Sequence, residues 1–145
     1  SNYKGVNEKG QLLQLYNSNT NTYYYQKGTS IKSFPGSLEY PKEFKFEANV
    51  DTMTIEGYFC NSIIVTTESG QTTYFFSDSI SIDYENYKNQ RFGNWNKYLN
   101  ATDGALPLKY IVYQKNYTRI ATAQKIEFKM LDNEEFNIEK FSTIK

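Results

Sequence analysis

Apolar and polar residues alternate along most of this 145-residue chain, and that period of two constrains its fold more than any other feature of the sequence. Successive side chains of a strand point to opposite faces, so an alternating run builds a sheet with one packed side and one wet side. Phe44, Phe46 and Ala48 share one face of a run whose other face carries Glu43, Lys45 and Glu47. The next run places Met53, Ile55 and Phe59 on one side, with Thr52, Thr54 and Glu56 opposite. Asn49-Val50-Asp51 lies between the two runs and reads as a turn, which makes them a hairpin.

The pattern continues through most of the chain. Ile63-Ile64-Val65 is a short apolar run, and Glu68-Ser69-Gly70-Gln71 turns it into Thr72 to Phe76. Ile80 and Ile82 alternate with Ser79, Ser81 and Asp83, and Leu108, Tyr110 and Val112 share a face further on. The clearest alternation is Thr122 to Leu131, where Ile126, Phe128 and Met130 oppose Lys125, Glu127 and Lys129, followed by a turn at Asp132-Asn133-Glu134 and a strand from Glu135 to Phe141. Near the start, Leu12 to Tyr16 and Thr22 to Gln26 form a pair joined by five polar residues. About eight to ten strands at this spacing predict an antiparallel barrel or sandwich. Lys32 to Lys42, which holds Pro35, Gly36 and Pro41, reads as an irregular loop.

One stretch departs from alternation. From Tyr84 to Leu99 the apolar residues fall closer to helical spacing, interrupted by Gly93, which predicts one short helix or, equally, a loop whose aromatics fill the core. No repeat occurs at a period of about 20 to 50 residues, so residues 1–145 are expected to form a single antiparallel β domain.

Charge and composition narrow the function. Sixteen basic residues balance sixteen acidic ones, which argues against a nucleic-acid or anionic-membrane surface, since both rely on a basic surplus. No run approaches the roughly 20 apolar residues of a membrane helix, so no transmembrane segment is expected. Fourteen Tyr, ten Phe and one Trp suit half-buried sheet positions and also suit binding surfaces.

The chain has no histidine, which removes the Ser-His-Asp and Cys-His nucleophile pairs, histidine-ligated zinc and the commonest general base. Its single cysteine, Cys60, ends an apolar run and reads as an unreactive buried thiol, slow to react with iodoacetamide. Asp78 with Asp83, and Glu134 with Glu135, are the nearest carboxylate pairs in sequence, the kind a glycosidase sets about 5 to 10 Å apart. Asp78 reads better as a turn residue, and Glu134-Glu135 as a solvated turn. No metal-ligand spacing or phosphate-cradling glycine loop is present, so neither a metal nor a cofactor is expected, and the chain reads as a binder with no enzymatic activity.

Some segments are similar to known families. Thr54-Ile55-Glu56-Gly57-Tyr58-Phe59-Cys60 resembles a strand of uncharacterised secreted bacterial families, including the one called GLPGLI, thought to be relatives of the outer-membrane lipoprotein carrier. The hairpin ending Tyr74-Phe75-Phe76 before Ser77-Asp78-Ser79-Ile80, the element Gly104-Ala105-Leu106-Pro107-Leu108 and the closing pattern from Ile126 to Ile138 are similar to theirs. The signature that names the family is absent, and Ala105 stands where Leu or Ile is usual.

The resemblance implies a curved antiparallel sheet, a half-barrel or incompletely closed barrel with at most one short helix. It also implies a periplasmic or outer-membrane-associated location reached with a signal peptide, and a lipid, acyl chain or envelope protein as partner. An apolar ligand or acylated partner held in the hollow of that sheet would then meet Phe44, Phe46, Met53, Ile55, Phe59, Tyr110, Val112, Ile126 and Phe128. The same residues equally describe a filled core. The alternative function is a surface module for protein or glycan, using exposed aromatics at Tyr87, Phe92, Trp95 and Tyr98.

Overall fold

The computed structural model describes residues 2–142. The chain divides into two compact units, one formed by the residues up to Leu38 with those from Phe128 onward, the other running from Glu39 to Glu127. Each contains one antiparallel sheet. The fold is mainly β, with one short helix, and neither sheet closes into a barrel.

The first unit is a four-strand meander of β1 (Asn2–Val6), β2 (Leu12–Asn17), β3 (Thr22–Lys27) and β4 (Ser30–Pro35). Asparagines shape its first two turns. Asn7 Oδ1 accepts from the amides of Lys9 and Gln11, and Asn17 Oδ1 from those of Asn19 and Thr20, so a short side chain stands in for a missing ladder partner. Part of the stretch expected as an irregular loop is β4, which Pro35 ends.

Pairing aligns Tyr3, Tyr16, Tyr23 and Phe34 in one row across all four strands. Tyr3 stacks on Tyr16 at 5.7 Å and Tyr23 on Phe34 at 4.8 Å. A separate apolar cluster joins Leu12 and Leu15 to Phe141, with Tyr24, Ile31, Phe136 and Ile138 packed around it.

That cluster depends on a segment whose form differs from expectation. Residues 123–132 are irregular, Asn133–Phe136 is a 3₁₀ turn, and Glu139–Ser142 is a single helical turn, so neither the Thr122–Leu131 nor the Glu135–Phe141 strand exists. An alternating run becomes a strand only where a neighbouring strand pairs with its backbone groups, and among the described residues neither sheet includes this segment. Phe128 is 74% exposed and Met130 99%. Asp132 instead caps the 3₁₀ turn by accepting from the Glu134 amide at 3.0 Å.

The second unit is a five-strand meander of β5 (Lys45–Ile55), β6 (Tyr58–Thr67), β7 (Gly70–Ser81), β8 (Ala105–Gln114) and β9 (Tyr117–Thr122). Between β7 and β8 come a 3₁₀ turn, Tyr84–Tyr87, and the helix α1, Trp95–Ala101. Asn49-Val50-Asp51 is not a turn. It lies inside β5 at a register irregularity between Asn49 and Met53. The true turn is Glu56-Gly57, where both residues have positive φ, 49° and 82°, the pattern of a two-residue hairpin whose twist matches its strands.

Cross-strand pairing sorts this sheet into two faces. Phe46 pairs with Val65, Val65 with Thr72, Thr72 with Val112 and Val112 with Arg119, which fixes one face. Ile63, Tyr74, Tyr110 and Ala121 form the adjacent row of that face. Helix α1 packs here through Tyr98, whose ring lies 4.8 Å from that of Tyr74, and Tyr98 and Leu99 are buried. On the other face Ile55, Cys60, Phe75, Ile80 and Leu108 form a core, with Met53, Tyr58, Ile111 and Ile126 packed against it. Leu108 does not share a face with Tyr110 and Val112 as its spacing suggests, because the β7–β8 register shifts between Phe75 and Phe76.

Candidate binding surface

The residues expected to line one apolar hollow do not meet. Phe46, Tyr110 and Val112 lie on the face covered by α1, with Phe44 beside Phe46 at 6.2 Å between ring centroids. Met53 and Ile55 belong to the opposite core, and Ile126 packs there from the irregular segment after β9. Phe128 belongs to the other unit. Phe59 is the sharpest correction. The two-residue turn pairs Ile55 with Tyr58 and Thr54 with Phe59, so Phe59 shares the face of Thr54 and is 60% exposed, while Ile55 is buried.

The expected interaction surface is corrected too. Tyr87 and Tyr98 are buried, and Tyr98 stacks on Trp95 at 5.1 Å and 8°. Phe92 stacks on Tyr40 at 6.4 Å. The segment is held down by its backbone, with the Gly93 amide donating to Tyr40 O at 2.6 Å and Asn94 Nδ2 to Pro41 O at 2.8 Å. Of the four, Tyr87 and Tyr98 are buried, and Phe92 and Trp95 are half-buried against other rings.

Neither side of the chemistry considered from sequence is assembled. Cys60 is fully buried, its Sγ 3.4 Å from Tyr58 O, and burial pushes its thiol above the ordinary range. Asp83 caps the 3₁₀ turn through the Glu85 amide, Glu135 pairs with Lys4 at 2.6 Å, and Glu134 with Lys140 at 3.5 Å. Among the described residues no three His, Cys, Asp or Glu side chains come together.

What the second unit does expose is a hollow beside Phe59. β6 and β7 pair from Thr67↔Gly70 up to Asn61↔Phe76, and β7 then runs on to Ser81, where it pairs with β8. The gap where the two strands part has a volume of about 230 Å³ and is lined by Gly57, Tyr58, Phe59, Asn61, Ser77, Asp78 and Ser79. Asn61, Asp78 and Ser79 are exposed, and the buried Ser77 hydroxyl accepts from the Ser79 amide at 3.4 Å. An apolar ring, a carboxylate, an amide and hydroxyls thus border one small cavity.

Of these residues Phe59 alone was expected at a ligand site, and on the wrong face, while Asp78 was read as a turn residue. No local signal announces the hollow, because it arises where two paired strands diverge. Compared with family models, with curated proteins and with solved structures, the chain matches none.

Proposed function

We propose that this chain acts by binding, and that the hollow beside Phe59 holds a hydroxyl-rich ligand, a glycan residue. The observation that carries this reading is one large exposed ring at the rim of a polar cavity. A sugar offers a face of C–H bonds that stacks on an aromatic ring and an edge of hydroxyls that need acceptors and donors. Asp78 accepts from two such hydroxyls, and Asn61 both donates and accepts. At about 230 Å³ the space is smaller than the roughly 300–1,000 Å³ of drug-sized pockets, which suits one sugar ring and not an acyl chain.

A shallow site of this size is expected to bind with a Kd of order 1 mM, about −4 kcal/mol. The test is a titration of isotopically labelled protein with a panel of mono- and disaccharides, followed by amide shifts. Saturable shifts at Phe59, Asn61 and Ser77 to Ser79 support the reading. Phe59→Ala should abolish them and leave the melting temperature unchanged, since the ring is mostly solvated. If no saccharide moves these amides, or a fluorescent fatty acid binds saturably instead, the reading fails.

A further inference from the structure

We propose that the free edge of β9 accepts an acidic, extended peptide segment as an added strand, an activity separate from the glycan reading of the Phe59 hollow. The second sheet has two edges, and they are built differently. Along β5 the ladder is broken by the irregularity between Asn49 and Met53, and charges of both signs, Lys45, Glu47 and Asp51, line the strand. Bulges and charged side chains are how natural sheets discourage edge pairing. β9 has no bulge, and its one charge, Arg119, is of a single sign. Its six residues, Tyr117–Thr122, pair with β8 without a register shift and contain no Pro, Gly or acidic side chain. Among the described residues no strand lies on its outer side. Alternate residues of such an edge direct their N–H and C=O away from the sheet, ready for another chain.

Charge selects the partner. In a chain of balanced charge, every charged residue between Asp103 and Glu127 is basic: Lys109, Lys115, Arg119 and Lys125. Two of these are engaged, Lys109 over the Phe75 ring at 5.7 Å and Lys125 with Glu127 at 3.0 Å. Lys115, in the β8–β9 turn, and Arg119, midway along the edge, are exposed and make no ion pair among the described residues. Pairing also fixes the faces of β9. Arg119 shares the face of Val112, while Thr118, Ile120 and Thr122 lie on the other, where Ile120 is 61% exposed. An added strand therefore meets Arg119 on one face and β-branched side chains on the other. The matching peptide alternates acidic and β-branched residues, because cross-strand neighbours interact face by face.

The experiment titrates a fluorescein-labelled peptide of alternating Glu and Val into the full chain, with the Lys-and-Val peptide as control. Fluorescence anisotropy reads binding, and amide hydrogen exchange locates it. The Glu peptide should bind at least about tenfold tighter than the Lys peptide, weaken with salt, and protect alternate amides from Tyr117 to Thr122. Lys115→Glu combined with Arg119→Glu should reverse the preference between the two peptides, and Phe59→Ala should leave it unchanged. That last variant separates this inference from the glycan reading, since either can fail alone. Equal binding of both peptides, or no protection along β9 in the wild-type chain, overturns the proposal. So does tighter binding of a single-stranded oligonucleotide or of phosphatidylserine vesicles, which would assign the basic hairpin to another anionic partner.

Discussion

Trp95 and Tyr98 lie one helical turn apart with their rings 5.1 Å from centroid to centroid and 8° from parallel, and Tyr98 also meets Tyr74 of the sheet at 4.8 Å. The Tyr98–Tyr74 contact fastens α1 to β7, and the Trp95 ring backs Tyr98 from within the helix. Tyr98→Ala removes a ring that is only 2% exposed, and losses of buried aromatics cost about 3–5 kcal/mol. Thermal unfolding followed by circular dichroism should show a drop in melting temperature of about 6–20 °C. An unchanged midpoint would mean that α1 is held by something other than this stack.

The Glu56-Gly57 turn should respond to substitution through backbone conformation alone. A Cβ added at Gly57 meets nothing within 4 Å, yet its φ of +82° is one that L side chains rarely adopt. Gly57→Val should therefore destabilise by about 1–2 kcal/mol, the cost of a left-handed backbone with a side chain. Glu56, at φ +49°, already bears part of such a cost. Glu56→Asn should stabilise by a few tenths of a kcal/mol, because Asn tolerates that conformation better. Chemical denaturation of the two variants checks both signs.

Phe141 closes the core of the first unit by packing with Leu12 and Leu15. Phe141→Ala should cost about 3–5 kcal/mol and release the C-terminal segment. Limited proteolysis would then cut between Phe128 and Glu139 under conditions where the parent chain resists. Equal resistance in both would show that the segment is held without this ring.

Burial of phenols gives the protein an alkaline limit. The Tyr23 hydroxyl is pushed up from 10.0 to about 12 by burial, and Tyr74 and Tyr98 are raised for the same first reason. Between those two values the unfolded chain loses the Tyr23 proton while the folded chain keeps it. The unfolded state is then favoured, and stability falls as pH rises from about 10. Below that range the folded and unfolded phenols are both protonated and contribute no slope. Tyr23→Phe should flatten the decline, measured as urea midpoint against pH.

Alternation made the fold class legible, and it located β2, β3 and β8 closely, while β6 was read as two pieces, its start joined to the end of β5. It failed where period two was present without a partner. Ile126, Phe128 and Met130 alternate cleanly, yet among the described residues no strand pairs with them, and no local pattern reports whether a partner strand exists. The turn misread at Asn49-Val50-Asp51 had the better turn composition, but Glu56-Gly57 had the glycine in the position the hairpin needs. That single error moved Phe59 from the exposed face to the core side in the expected reading. The candidate hollow was less legible still. Ser77, Asp78 and Ser79 come beside Phe59 only because β6 and β7 separate, a relation set by the whole sheet.

Two residues, and no more, connect β5 to β6. Side chains alternate along both strands where they flank this turn, so the length of that link sets which face each residue of β6 takes. One residue inserted there would, if β6 slid by one place against β5, turn β6 inside out, trading a solvated phenyl ring for a thiol at the surface. This corner is therefore constrained twice, in residue type by the positive φ of both its residues and in length by the face that β6 must show.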